Sequence, residues 1–517
     1  MHERARIVTN EVHRAPFTHL EEITITELQA AMDRGELNAR ELAEMYIERI
    51  HALDQHGPTL RSILEINPAA LEIAEKLDEE RRNHGARGPL HGIPILLKDN
   101  IATSDAMQTT AGSLALVGSR PPRDAFVVDK LRQAGAVILG KTNLSEWANF
   151  RSNASSSGWS GRGGQGRNPY VLDRTPCGSS SGSAVAIAAN LATVSLGTET
   201  DGSILCPASS NGVVGIKPTV GLTSRAGVIP ISHSQDTVGP FARTISDAAA
   251  LLGALTGIDP RDSATHGSEG KFHSDYTQFL DPNGLRGARI GIARQVYFGY
   301  STKADAIANS AIKQLRELGA EIIDPADIPT AEQMSKSKAE LTVLLHEFKA
   351  DLNAYLAELT RTPVRSLADI IEFNNAHTAE ELPYFGQEIF LMAQETSSLA
   401  DPDYLSALDE NYRLSRQEGI DAVMDIYKLD ALVMPTTSPP WRIDLVNGDH
   451  EMGSSSQPAA LAGYPAISVP AGHVFDLPVG ITFMGRAFSE STLIKLAYAF
   501  EQATKVRHPP RYLPTIP

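Results

Sequence analysis

Apolar positions recur at helical spacing over residues 23–53, ITITELQAAMDRGELNARELAEMYIERIHAL. The rhythm predicts two helices, with Thr26 placed to cap the first and Asn38 the second, because such side chains accept from amides that the first turn leaves unpaired. ILEINP (63–68) reads as a short strand ending at Asn67-Pro68; Asn67 can cap the helix that follows, AALEIAEKLDEERRN, and Pro68 suits its first turn. IPILLKDN (93–100) is a brief apolar run ending in charge, the form of a buried strand that reaches an active edge. FVVDKLRQAG (126–135) reads as a helix closed by Gly135, and AVILGKTN as another strand. The Gly/Ser/Asn-rich stretch 151–168 has no periodicity and reads as a surface or pocket-lining loop. SAVAIAANLA (183–192) is a small-residue helix, and TVSLGTETDGS a strand running into a tight turn.

Farther along, ARIGIA (288–293) is a strand, a helix covers about 303–318, and AEII is a strand again. Residues 330–428 are helical, charged and poor in strand signals. Strands resume at DALVMPTT (430–437), AISVPAG (466–472) and VGITFMG (479–485), and STLIKLAYAFEQAT forms a last helix. Strands alternating with helices on both sides of the helical block predict an α/β fold: a large mixed sheet covered by helices on both faces. The expected organisation is a single domain over 1–517, with 330–428 a helical insertion or cap. No internal repeat is found.

Composition narrows the function. The chain of 517 residues is 42% hydrophobic and 21% charged, as soluble globular proteins are. A net charge of -16 argues against nucleic-acid binding, which needs a basic face. The first residues, MHERARIVTNEVHRAP, hold no apolar run of signal-peptide length, and no stretch of about 18 apolar residues occurs, so the simplest compartment is the cytoplasm and no membrane contact is expected. Two cysteines, Cys177 and Cys206, exclude a disulfide framework and a zinc cluster by count, and read as two small buried residues. The histidines show no metal spacing. Neither a metal nor a cofactor is expected.

Two literal pattern matches lack their context. Gly161, Gly163 and Gly166 fit G-x-G-x-x-G, but no strand precedes them and Asn168-Pro169 follows where a helix should run. Gly178-Ser179-Ser180-Ser181-Gly182 fits G-x-S-x-G, which would make Ser180 the nucleophile of an α/β-hydrolase elbow with His473 as its late histidine; yet DRTPC precedes it instead of a strand. A third signal is a constellation. Lys98 ends the strand ILLKDN, Ser179 lies in CGSSSGS, and Ser203 in TETDGS. The two serines flank SAVAIAANLATVSLG, and a loop, a helix and a returning strand would bring both to one rim.

These residues resemble the amidase signature family. The likeness is carried by PCGSSSGSAVAIAANLATVSLGTETDGSILCPASSNGVVGIKPTVGLTS (about 176–224), and by GPLHGIPILLKDNI, AVILGKTNLSEWA, SHSQDTVGPFARTISDAA and LAGYPAISVPAG with LPVGITFMGRAFSESTLIKLAYAFE. Within the family, SEWANFRSNASSSGWSGRGGQGRNPY and TETDGSILCPA are most similar to bacterial peptide amidases, which remove the C-terminal amide from peptides. The resemblance implies a serine–cis-serine–lysine unit: Ser203 as nucleophile, Ser179 as bridge, Lys98 as base. Members acting in tRNA-dependent amidation usually read GGSIRQPA, where this chain has Asp201 for the first glycine and Leu205 for the arginine.

The chemistry asks an amine to accept a proton. A free lysine is protonated at pH 7; burial behind Ile95, Leu96 and Leu97 would lower its pKa, and a drop of roughly three units corresponds to about 4 kcal/mol. The N–H groups of Thr200, Asp201, Gly202 and Ser203 would hold the oxyanion. The Asp201 side chain either contacts a positive group on the substrate or caps the amides of its own turn. Asp236 and Arg243 read as orienting loops, and Asn149, Phe150 and Trp159 as lining the cleft. The expected activity is hydrolysis of peptide C-terminal amides by a monomer or homodimer; the alternatives are a broad small-molecule amidase and an amidotransferase-like component of a larger, tRNA-dependent assembly.

Overall fold

The computed structural model describes residues 20–516, so the amino-terminal stretch read above as lacking a signal lies outside them. Thirteen strands occur in this part of the chain: β1 (Ile63–Ile66), β2 (Pro94–Lys98), β3 (Val137–Thr142), β4 (Trp159–Ser160), β5 (Gly164–Gln165), β6 (Val194–Glu199), β7 (Val214–Lys217), β8 (Thr237–Ala242), β9 (Arg289–Ile292), β10 (Glu321–Ile323), β11 (Ala431–Pro435), β12 (Ala466–Val474) and β13 (Leu477–Met484). Eleven form one sheet in the order β1-β3-β2-β6-β8-β7-β12-β13-β11-β9-β10, and β4 pairs only with β5. The sheet is mixed: β2 runs parallel to β3 and β6, and β9 parallel to β10 and β11, while the other pairings are antiparallel. This is the α/β architecture that the sequence predicts.

Burial explains the strand signals. Every residue of β2, β3, β6, β11 and β13 is buried, which is why PILLK of β2 and ALVMP of β11 read as near-continuous apolar runs and not as alternation. Sequence reading misses β7 (VGIK) and β8 (TVGPFA), although both are equally buried. β7 has only four residues, and Pro240 sits in β8 opposite Leu196, a central position that proline seldom takes. The first helix, Ile25–Asp33, is capped by Thr24 and not Thr26. Thr24 Oγ1 accepts from Glu27 N and Glu27 Oε2 accepts from Thr24 N, a closed box, whereas Gln29 is occupied by the carbonyls of Pro89 and His91. Asn38 does cap the second helix, through Glu41 N at 2.9 Å.

Between β10 and β11 the chain is helical, from Ala331–Lys336 to Asp421–Tyr427. Phe348, Leu352 and Leu356, on the helix Ala339–Glu358, share a core with Trp147, Phe150, Ile229 and Ile231 from the loops of the sheet. Among the described residues no helix is long and apolar enough to cross a membrane.

The helix Ser181–Ala188 is wholly buried, and Gly182 lets it approach the backbone of its neighbours. A Cβ at Gly182 would meet the carbonyl of Ser62 and, at 2.5 Å, that of Asn143, while its N–H donates to Asn143 O at 2.9 Å. Gly182→Ala is therefore expected to destabilise the fold by roughly 1–3 kcal/mol, the usual cost of overpacking. A lowered midpoint of thermal inactivation checks it.

Candidate active site

Register places the site. Ile95, Leu96 and Leu97 of β2 pair with Val194, Ser195 and Leu196 of β6, so the carboxyl ends of these parallel strands reach the same edge carrying Lys98 and Thr198. Lys98 is fully buried. Its Nζ lies 2.7 Å from Ser179 Oγ, 2.9 Å from Thr198 Oγ1 and 3.3 Å from Thr198 O. Burial pulls its pKa down to about 7, against the opposing charges of Asp236 and Glu199. A neutral amine suits these neighbours. As an ammonium Nζ donates to Ser179 Oγ; once it loses a proton, two N–H groups can serve the Thr198 oxygens and the lone pair can face the hydroxyl of Ser179.

The helix Ser181–Ala188 and strand β6 return the chain to this edge, and Ser180 N donates to Ser203 O at 3.2 Å. The expectation that one helix–strand unit brings both serine loops to a common rim holds. The Gly178–Ser179 peptide bond is cis. After β6 the chain turns through Gly202, whose φ of +79° is left-handed and favours glycine. Thr200 Oγ1 donates to Asp236 Oδ1 at 2.6 Å, and Asp236 Oδ2 accepts from the amides of Ile231 and Ser232 at 2.8 and 3.0 Å. Glu199 Oε2 accepts from Ile204 N and Leu205 N. The turn is thus tied on both sides. Among the described residues the N–H groups of Thr200, Asp201, Gly202 and Ser203 have no protein acceptor, and neither has the Ser203 hydroxyl a partner.

Thr200, Asp201, Gly202 and Ser203 line a cavity of about 330 Å³, together with Asn149 and Phe150. Trp159 is not part of it: its ring packs edge-on to Tyr384 and Phe385 and borders a different cavity. The wall near Asn149 is strained, with Trp147, Ala148 and Asn149 at φ of 49, 54 and 70°. Left-handed residues that are not glycine cost on the order of 1 kcal/mol each. The loop is held by burial of Trp147 against Phe390 and by fully buried Arg151, which donates to Glu146 Oε1 and to Glu381 O, both at 2.5 Å. Glu381 comes from the helical segment, so that segment braces the cleft wall.

Other expectations sort differently. Asp236 orients the turn as described, and Arg243 donates to Ala192 O and Ile23 O, far from any reacting group. Ser180 is buried and exchanges hydrogen bonds with the backbone of Thr198, while His473 stacks on His508, so neither part of a hydrolase elbow is assembled. Cys177 and Cys206 are joined in a disulfide, which corrects the reading of two unpaired buried residues. A count of two rules out a framework but not a single bridge, and the fold brings their Cα atoms within 6.0 Å. Asp201 does not cap its own turn. Its carboxyl faces that of Glu340 from the helical segment, and burial holds both above the usual carboxylate range. Two carboxyls hydrogen-bond only by sharing a proton. Sequence reading missed Thr198, Glu340, Trp441, Asp449 and Glu451 at this site. Only Thr198, two residues before the TDGS turn, stood beside a recognised signal.

Known proteins match this chain over most of its length. The family model described as Amidase matches residues 41–494. The structure of a peptide amidase in complex with the competitive inhibitor chymostatin superimposes with a TM-score of 0.92 at 54% identity, covering 95% of this chain and 99% of that one. The native peptide amidase of Stenotrophomonas maltophilia gives 0.91 at 54% identity over 95% and 99% of the two chains. A probable amidase of Arabidopsis thaliana is 48% identical over 96% of this chain and 92% of its own. A glutamyl-tRNA(Gln) amidotransferase component of Carboxydothermus hydrogenoformans is 35% identical over 93% and 97%. The chain belongs to the amidase signature family and is an amide-hydrolysing enzyme.

Proposed function

We propose that the chain hydrolyses the C-terminal carboxamide of short peptides and releases ammonia, by way of an acyl-enzyme on Ser203. The observation that carries the mechanism is the buried Lys98 amine 2.7 Å from the Ser179 hydroxyl, beside the turn that presents Ser203. Ser203 Oγ attacks the amide carbon while its proton passes to Ser179 and the Ser179 proton to Lys98. The N–H groups of Thr200, Asp201, Gly202 and Ser203 are the candidates that stabilise the oxyanion, an interaction worth about 3 kcal/mol per donor in comparable sites. Collapse breaks the C–N bond, and the departing nitrogen takes the proton back from Lys98 through Ser179, leaving as ammonia. Water then enters by the same relay, the ester breaks, and Ser203 recovers its proton.

The peptide preference is supported by the two structural relatives named as peptide amidases. Asp201 and Leu205 stand where tRNA-dependent members of the family usually carry glycine and arginine. Residues 330–428 act as a cap in this reading. The Cys177–Cys206 disulfide bears on the compartment: such bonds persist where the surroundings are oxidising, which argues against the cytoplasmic expectation.

The isolated chain is expected to release ammonia from a dipeptide amide faster than from benzamide; release from benzamide alone would make it a small-molecule amidase. Ser203→Ala and Lys98→Ala should each cut kcat by at least about a thousandfold, as loss of members of a catalytic unit does elsewhere. Full activity in either variant rules the relay out. The rate should rise with pH through about 7, as Lys98 loses its proton.

The same burial has a stability signature. Folding depresses the amine from its ordinary 10.5 to about 7, so the unfolded chain binds the extra proton between those values and stability increases with pH across that window. Lys98→Met removes the penalty. It should stabilise the inactive protein near pH 7 by up to about 4 kcal/mol, a gain that shrinks as pH approaches 10.5. Denaturant melts at several pH values read it.

A further inference from the structure

The cavity beside Ser203 carries an unbalanced charge. Its nineteen lining residues include Asp201, Asp449 and Glu451, and not one lysine, arginine or histidine. Among the described residues none of these three acids has a cationic side chain within ion-pair distance. Asp449 accepts from neutral donors, Trp441 Nε1 at 3.0 Å and Ser157 N at 3.0 Å. Glu451 accepts only from Thr437 Oγ1, at 3.5 Å. Asp201 Oδ1 is buried without a hydrogen-bond donor from the protein. Other buried carboxylates are matched either by a cation, as Glu146 is by Arg151 and Asp99 by Arg162, or by several neutral donors, as Asp236 and Glu199 are. The charges nearest Asp201 do not cancel the cavity's. Lys217 is tied to Tyr464 O at 2.7 Å and shared with Glu199 and Glu490, and Lys98 lies behind Ser179.

Unpaired acids alone do not make a site. Here the same cavity also receives the Ser203 side chain, 7% exposed and without a partner, together with the free N–H groups of its turn. Both mark the place where a ligand's reacting group sits. Acids gathered in one confined space repel one another, and that cost is recovered when a cation enters. Trp441 forms part of the wall, and an aromatic face beside carboxylates is a suitable surface for an ammonium. Confinement, and then the charges of Asp201 and Asp449, push the Glu451 carboxyl up to about 7, in keeping with a field that lacks its counter-ion.

We infer that this cleft is a charge filter, which favours amides bearing an ammonium group, as a free peptide amino terminus or a basic side chain, over neutral amides, and repels anionic amides and the carboxylate product. The inference rests on the reading of the chain as a hydrolase of short peptide amides. It gives the acidic lining two tasks. Before the reaction it attracts a cationic substrate. Afterwards a neutral carboxamide has become a carboxylate beside Asp201, and repulsion hastens its departure.

Three probes on one scaffold test it: Gly-Phe-amide with a free amino terminus, its N-acetyl form and its N-succinyl form, with end groups positive, neutral and negative. At low salt kcat/KM for ammonia release is expected to fall in that order by roughly fivefold per unit charge, the effect of one charge at contact distance in water. The spread should narrow at high salt and in Glu451→Gln, and narrow further or invert in Glu451→Lys; Glu451 lines the cleft and belongs to no apolar core cluster, so these variants leave the core untouched. Equal values for the three probes, or a ranking that the two variants do not move, overturn the inference. Calorimetric binding of the same probes to Ser203→Ala reads the filter without turnover. Ranked binding with no ammonia from any probe supports the filter and removes the peptide-amide reading, whereas unranked binding overturns the filter even where ammonia is released.

Discussion

Lys98 Nζ sits fully withdrawn from water among oxygens that carry no formal charge, Ser179 Oγ and the two oxygens of Thr198. An ammonium in that setting has lost its hydration and gained no contacting carboxylate in exchange, so the neutral amine is well populated near pH 7. Three apolar residues on β2 and the parallel pairing with β6 achieve this withdrawal. Burial brings an amine of ordinary pKa 10.5 down to about 7, the range in which it can both hold and accept a proton near neutrality. The proposed relay depends on that placement, since a protonated Lys98 could donate to Ser179 but not accept from it.

The cleft around this centre is built at a cost in stability. Three successive residues hold left-handed backbone, buried Arg151 is matched to Glu146 and to a carbonyl of the helical segment, and unpaired acids share one cavity. Each of these is unfavourable by itself. They persist because large apolar faces elsewhere supply the stability, and because packing of Trp147, Phe150 and Phe348 leaves the loop no relaxed alternative. The helices between β10 and β11 contribute to the cleft twice, through the carbonyl of Glu381 that anchors its wall and through the carboxyl of Glu340 that meets Asp201.

What the sequence determined by itself is local, together with the motif that carries chemistry. The runs PILLK, VILGKT and VSLGTE announced buried strands because both of their faces are covered, and the end of the first placed a lysine where burial could act on it. The spacing of the two serine loops across one helix and one strand anticipated their meeting. Resemblance to a family then gave Lys98, Ser179 and Ser203 their expected order of action.

Tertiary structure alone decided the rest. β7 and β8 stayed hidden because glycine and proline say nothing about strands until a neighbouring backbone needs their small size: at Gly239 a Cβ would collide with Ile216 O. The bridge between Cys177 and Cys206 could not be read from a count, and Trp159 reads as a cleft residue only until Tyr384 and Phe385 claim its ring. Asp449, Glu451 and Glu340 lie 246, 248 and 137 positions beyond Ser203 in the chain, and no periodicity links them to it. Strand and helix patterns record which face of an element is covered. They carry no information on which distant loops converge at a sheet edge, and the charge of the cleft is fixed by that convergence.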